Sequence, residues 1–395
     1  MKILNTANIG DVNKNLILKT IRTKGPISRA DISRELSISK PAVSKNIKEL
    51  LEADIVKEIG QGDNDIGRKS TLIAFNSEKS FVIGVDIGNF KIRVGLADLS
   101  GKIKKIIETE TYADSGGEKI IQRVGEAIIR ICSEQQIHKD KILAICIGIP
   151  GLIDEMSKKT YLTPFIKNIE NVDIPAYFNK RFNAHIIIKN NVNAGALGEY
   201  KNRYPEEIDC KNVVYINLGI GIGAGIILDG DLYTGKNNAA GEIGFCCFRS
   251  LHEPIPDKDA GSYEKSISVK YLIKKYNFLV EKEKQLGVEI EDVSELFDRY
   301  DKHETEASEI IVELIENILM LLISITAILN IDVIIFGGGL GGRMKKYFPC
   351  FKKKIVESVP FMPIIRDARL GTLSGVYGAI YSALSEVLVD YKNLQ

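Results

Sequence analysis

A small α+β head carrying three short helices and a β-hairpin, joined to a larger α/β body of two lobes, is the fold class this 395-residue sequence predicts. Three observations carry that expectation. The first eighty residues read as three helices followed by two strand-like runs around a Gly/Asp/Asn turn. From Phe81 the texture changes to strands followed by helices, and a second strand-rich start near Asn212 repeats that order. The length exceeds what one simple core fills, so two or three domains are expected. The predicted boundaries are 1–78 for the head and 79–395 for the body. The body's two lobes cover about 79–200 plus the C-terminal helix, and 201–370.

The head begins with VNKNLILKTIRTKG, whose Leu16, Ile17 and Ile21 set a helical face that Gly25-Pro26 ends. SRADISRELS follows, with Ser28 and Asp31 at the spacing of a capping box. A turn of only Ser37-Ile38-Ser39 leads into KPAVSKNIKELLEA, with Ser39 as the expected N-cap and Pro41 in the first turn, where a missing N–H costs little. Val43, Ile47, Leu50 and Leu51 fall on one buried face of that helix. Lys40, Pro41, Ser44, Lys45 and Lys48 then project from the other side. Short polar and cationic groups on such a face suit the major groove of DNA, with Ser28 and Arg29 at the start of the preceding helix. The hairpin DIVKEIGQGDNDIGRKSTLIAF is expected to be a wing whose Arg68 and Lys69 reach toward the phosphate backbone or the minor groove. A three-helix packing module with solvated lysines has the same pattern; the short turn, the caps, the basic face and the wing together favour a winged helix-turn-helix that binds DNA.

Charge agrees with this division. Residues 1–80 hold 14 Lys+Arg against 10 Asp+Glu, and the rest hold 39 against 42, so a basic head sits on a mildly acidic body. No signal peptide is legible at the N-terminus and no stretch of about 18 apolar residues suggests a membrane span, so a cytoplasmic protein with no membrane partner is expected. The six cysteines lack CxxC spacing and read as reduced thiols.

In the body, FVIGVDIGNFKIRVGLADL reads as two strands around a glycine turn, KIKKIIETETYA as a third, and ILAICIGIPG as another buried strand. KIIQRVGEAIIRICSEQQ is an amphipathic helix, and long helices are expected around 264–276 and 306–329. The glycine-rich segments fall at strand ends, where backbone N–H groups can cradle an anion, although glycine turns recur in sheets for structural reasons alone. Two lobes with a cleft between them follow.

The order of these segments resembles a known family. DIGNFK (86–91), IGIPGLID (147–154), NNVNAGALGE (190–199), NLGIGIGAGIILDGDLYTG (217–235), AGEIGF (240–245), FGGGL (336–340) and GTLSGVYGAI (371–380) look like the ROK family of sugar kinases and repressors. The head resembles the winged helix fused to the repressor members, of the xylose-repressor type. The resemblance spans nearly the whole chain. It implies an actin-like two-lobed ATPase fold behind a DNA-binding domain, a homodimer or dimer of dimers, operator DNA as partner and a sugar effector in the cleft.

The same resemblance makes phosphoryl transfer unexpected. Kinase members have Asn-Asp where this chain has Asn190-Asn191, and a neutral amide is no substitute for a carboxylate base. Their first loop reads D-x-G-G-T; here it is Asp86-Ile87-Gly88-Asn89-Phe90. In the second, around Gly219 and Gly221, Ile220 replaces a threonine whose hydroxyl can donate to phosphate, and Ala224 replaces a glycine. Gly338 belongs to the third glycine segment. These loops are therefore expected to be degenerate, with no cofactor. The family's structural zinc pattern is also missing: Phe245 stands for its histidine and Ser262 for its last cysteine. Cys246, Cys247 and His252 do not make up a closed set of four ligands, so no metal is expected. What survives is a polyol-shaped set, Asn190, Asn191, Glu242 and Glu264, whose planar amides and carboxylates pair with vicinal hydroxyls. A surface-charge role for the two glutamates and a capping role for the asparagines stay open. The expected function is a sugar-responsive repressor of carbohydrate-metabolism genes; an active sugar kinase with a fused DNA-binding head is the alternative.

Overall fold

The computed structural model describes residues 6–61, 70–154, 157–161, 163, 165–248, 261–282 and 289–394. The head contains α1 (Thr6–Lys24), the two-residue strand β1 (Ile27–Ser28), α2 (Arg29–Leu36), α3 (Lys40–Glu52), β2 (Val56–Gln61) and β3 (Thr71–Phe75). Its antiparallel sheet runs β1-β3-β2, with β1 the one strand the sequence did not suggest. Helix α3 buries Val43, Ile47 and Leu50, as the apolar spacing predicts, while Leu51 of the predicted face is only half-buried and the polar Asn46 is buried in addition. One detail is corrected: Ser39 precedes α3, but its side chain makes no capping hydrogen bond, leaving Pro41 as the start signal.

The first lobe is built from β4 (Phe81–Ile87), β5 (Lys91–Asp98), β6 (Ile103–Glu110), α4 (Gly117–Glu134), β7 (Ile142–Ile149), the small hairpin β8 (Leu152–Asp154) and β9 (Lys159–Tyr161), α5 (Ile174–Asn179), β10 (His185–Asn190) and α6 (Asn191–Lys201). The second lobe holds β11 (Val213–Leu218), β12 (Ile222–Leu228), β13 (Asp231–Tyr233), α7 (Glu264–Ile267), α8 (Val269–Lys282), α9 (Val293–Asp301), α10 (Thr305–Leu329), β14 (Val333–Gly337), α11 (Phe348–Ser358) and β15 (Ile364–Asp367). Helix α12 (Ser374–Val387) returns to the first lobe and packs on β4 and β7.

The two sheets repeat one plan. Their orders are β6-β5-β4-β7-β10 and β13-β12-β11-β14-β15, each an antiparallel meander of three followed by two parallel strands. Strand β4 is buried at every position, which is why FVIGVDI reads as a continuous apolar run rather than an alternating one. Two expectations need amendment. The helix predicted over 264–276 is broken at Ser268, a buried residue with extended backbone (φ −79°, ψ 146°) that separates α7 from α8. Helix α10 is long and apolar enough to cross a membrane by length and composition, with a mean hydropathy of 2.1. Its Ile310, Ile311, Leu314, Ile318, Leu321 and Leu322 instead fill the core of the second lobe.

The head is fused to the body by packing as well as by sequence. Ile17, Leu18 and Ile21 of α1 and Ile47 and Leu50 of α3 share one core with Val82, Ala97 and Leu99 of the first lobe, Leu384 and Val387 of α12, and Tyr391 and Leu394. Polar contacts reinforce that seam. Arg22 donates to the Leu388 carbonyl at 3.2 Å, and the Tyr391 amide donates to Asn15 at 2.8 Å.

Candidate functional site

The C-terminal ends of the parallel strands of both sheets open onto one cleft of about 1250 Å³. Helices α6 and α12 form its floor and pack against each other at backbone distance. A methyl group on Gly378 of α12 would lie 1.6 Å from the Ala194 carbonyl oxygen of α6, and one on Gly375 would lie 2.6 Å from the carboxyl carbon of Asp86. Buried Glu199 of α6 ties the same pair together. It accepts from the Ser374 hydroxyl at 2.8 Å, the Leu370 amide at 2.8 Å, the Arg369 amide at 2.9 Å and the Arg366 guanidinium at 2.9 Å.

All of the residues expected at the sugar and nucleotide positions line this cleft: Asp86, Gly88, Asn190, Asn191, Gly219, Gly221, Glu242, Glu264 and Gly338. Their roles differ. Asn190 is the N-cap of α6: its Oδ1 accepts from the Val192 and Asn193 amides at 2.9 and 3.0 Å, and its Nδ2 donates to the Gly151 carbonyl at 2.9 Å. Asn191, the first residue of α6, donates weakly to the Ile87 carbonyl at 3.4 Å. Asp86 is buried; that burial pushes its carboxyl up to about 6, opposed by Arg93 at 3.9 Å. Gly88 closes the first loop by donating to the Lys91 carbonyl at 3.0 Å, and Phe90 at the loop tip is 70% exposed. The Gly219 amide closes the second loop on the Gly221 carbonyl at 3.1 Å.

Glu242 and Glu264 are brought together although 22 residues separate them in sequence. Burial raises the Glu242 carboxyl, and burial plus the Glu242 charge pushes Glu264 up to about 7, with Lys270 and Lys265 opposing. Two partly dehydrated carboxylates facing one cleft are acceptors in need of donors, which a polyol supplies. Phe245 lies beside them, 53% exposed. Among the described residues no group of three His, Cys, Asp or Glu side chains is placed to hold a metal, and His252 lies outside them.

Several lining residues escaped sequence reasoning. Asn193 is buried with no hydrogen-bond partner for its Oδ1, and the Asn89 Oδ1 is likewise without one. The run NNVN contains Asn193, but nothing in its spacing tells which amide caps and which faces the cleft. Tyr161 at the end of β9, Phe165 in the connection that follows it and Tyr215 within β11 also line the cleft, and no motif marks them.

In the head, Lys40, Pro41, Ser44, Lys45 and Lys48 are all exposed on one side of α3, and Lys48 stands 3.8 Å from Glu52. Arg29 is paired with Glu58 of β2 at 2.8 Å. Ser28 is a correction. It is 3% exposed, accepts from the Asp31 amide at 3.2 Å and gives its hydroxyl to the Asp31 carboxylate at 2.6 Å, so it caps α2 instead of facing a groove. Arg68 and Lys69 lie outside the described residues.

Comparison with known proteins agrees with both halves. Residues 11–57 match the winged helix-turn-helix DNA-binding family, and residues 82–386 match the ROK family. The chain is 30% identical over 300 residues to a protein named xylose repressor from Bacillus spizizenii, spanning 75% of this chain and 76% of that protein. It is 27% identical over 254 residues to the DNA-binding transcriptional dual regulator NagC of Escherichia coli, covering 64% and 61% of the two chains. Among solved structures, a ROK family transcriptional regulator described as a homolog of the Escherichia coli MLC protein superposes with a TM-score of 0.77 at 20% identity, covering 98% of this chain and 99% of that one. A ROK family glucokinase from Streptomyces griseus, solved with glucose and AMPPNP, matches over 78% of this chain and 100% of its own at TM-score 0.63 and 21% identity. These likenesses establish the fold, and with a family match over most of its length the chain belongs to the ROK family.

Proposed function

We propose that this chain is a sugar-responsive transcriptional repressor: the winged helix holds an operator through α3, and a sugar in the cleft sets how it does so. The observation that carries the reading is the packed path from cleft to head. Helix α6 begins at the Asn190-Asn191 site and is locked to α12; α12 runs into Leu388 and Tyr391, which grip α1. A sugar that draws the lobes together moves α6 and α12, and with them the helix against which α3 packs. Such coupling needs unequal sugar affinity for the two arrangements; a tenfold difference corresponds to about 1.4 kcal/mol.

The repressor names of its relatives favour a regulator over an enzyme. The cleft supports the finer reading that phosphoryl transfer has been lost. Asn191 occupies the position where a base is needed, Phe90 presents a ring instead of a donor at the first loop, and Ile220 lines the cleft beside the second. We also propose a homodimer, since a palindromic operator read by two recognition helices one or more helical turns apart is the geometry a winged helix of this kind suits. D-xylose, from the name of the relatives, is the first effector to test. The deciding experiment is operator binding by fluorescence anisotropy with D-xylose, D-glucose and N-acetylglucosamine at saturation. A change in affinity with one of them is expected; indifference to every sugar removes the effector half of the reading.

A further inference from the structure

The connection between β9 and α5 crosses the cleft. Ile166 and Ile169 anchor it in the core of the first lobe, both at most 1% exposed. Phe165, next to Ile166, is only partly buried and reaches the opposite lobe. A methyl group placed on Gly221 would lie 2.8 Å from Cε2 and 2.9 Å from Cζ of Phe165, so the ring lies directly on the second glycine loop. The same point is 3.7 Å from Oε1 of Glu264, so the ring edge and the carboxylate both border Gly221. A second bridge lies nearby, where the Tyr161 hydroxyl donates to the Asn237 carbonyl of the other lobe at 3.1 Å. These contacts join the lobes at the Glu242–Glu264 end of the cleft.

We propose that Phe165 is a specificity residue of the sugar site, an apolar wall for one C–H face of a neutral, unphosphorylated pyranose whose hydroxyls are accepted by Glu242 and Glu264. The inference rests on the sugar-binding reading above and names what that site takes. A pyranose has a polar rim and apolar faces, and a site for it needs acceptors at the rim and an aromatic or apolar surface against a face. Two carboxylates supply the rim. Phe165 supplies the apolar surface, its ring seated on Gly221 on the same side of the cleft as the Glu264 carboxylate. Two adjoining carboxylates also disfavour a phosphate group at this end of the cleft, which selects a free sugar over its phosphate ester. Because Phe165 belongs to one lobe and Gly221 with Glu264 to the other, a sugar held there touches both lobes at once.

Isothermal titration of the full chain with D-xylose, D-glucose, N-acetylglucosamine and glucose 6-phosphate tests this, on wild type, Phe165→Ala, Phe165→Tyr and Gly221→Ala, with melting temperatures as a check of folding. The expected result is that one neutral sugar binds wild type, that Phe165→Ala weakens it at least tenfold and that Phe165→Tyr stays within threefold. Gly221→Ala, whose methyl group displaces the ring, should follow Phe165→Ala. Equal affinity of Phe165→Ala and wild type overturns the role of Phe165 and leaves the sugar site standing. Tighter binding of glucose 6-phosphate than of every neutral sugar overturns the ligand class. If wild type binds none of the four, the sugar-binding reading itself fails and this proposal with it.

Discussion

The Tyr391 hydroxyl donates to the Asp11 carboxylate at 2.7 Å, joining the last turn of the chain to its first helix across 380 residues of sequence. Lys392 reinforces the same carboxylate at 2.6 Å, and Lys14 of α1 lies 4.4 Å from the centre of the Tyr391 ring. The grip on α1 therefore comes from residues that directly follow α12, whose other end lies on the cleft floor.

Loosening that grip should uncouple the two ends. Tyr391→Phe combined with Asp11→Asn is expected to leave sugar affinity within about twofold of wild type, while the sugar-induced change in operator affinity shrinks toward unity. Anisotropy titrations with and without saturating sugar read both quantities. An undiminished sugar response would show that the signal takes another route.

Two head residues should separate DNA contact from stability. Lys45→Ala is expected to weaken binding to specific and non-specific DNA alike and to lower the salt slope by about one, as for the loss of one phosphate contact. Ser28→Ala should instead cost about 0.5–2 kcal/mol of stability through the lost cap of α2, with the salt slope unchanged. Urea unfolding and salt titrations distinguish the two outcomes.

If phosphoryl transfer has been lost as proposed, one substitution should not supply it. Restoring a base is worth roughly 10²–10⁴ in rate when the rest of the machinery is intact. With Phe90 and Ile220 still in the loops, Asn191→Asp is expected to leave sugar-dependent ADP release at background. Adding Phe90→Thr and Ile220→Thr should raise it. Brisk turnover by the single variant would mean that the loops are competent as they stand.

The cleft carboxylates predict a pH dependence of known sign. Glu264 titrates near 4.5 when unfolded and is pushed up to about 7 by burial and by Glu242. The folded state therefore binds the proton more tightly, and its contribution to stability is present below about 4.5 and lost as pH rises through about 7. Asp86, raised to about 6, acts in the same direction. The melting temperature of the sugar-free protein should fall between pH 5 and pH 8, and Glu264→Gln should flatten the fall. A profile that Glu264→Gln leaves unchanged would rule out this carboxyl as its source.

Tight packing of α6 on α12 makes the last prediction. Gly378→Ala drives a methyl group into the Ala194 carbonyl, where only a backbone shift relieves it. A loss of about 1–3 kcal/mol or more is expected in urea denaturation, since overpacking a fixed helix pair is not relieved by rotamer change.

Sequence alone determined the order of the main elements and the exposed basic face of α3, because both are written in short-range pattern. Apolar periodicity gives helices and strands their faces, and glycines at strand ends mark where chain reversals and the cleft must be. The resemblance of the ordered motifs to the ROK family, and not any periodicity, is what pointed Asp86, Asn191, Glu242 and Glu264 to one cleft. Only the tertiary structure decided which polar groups are already spent. Ser28 and Asn190 have the same chemistry whether they cap a helix or bind a ligand, and only their partners' positions tell which. It likewise decided that α10 is a core helix, since its apolar composition is the same whether it faces lipid or protein. The meetings of Phe165 with Gly221 and of Tyr391 with Asp11 were also beyond the sequence, because contacts between segments brought together by two sheets leave no periodic trace in either segment.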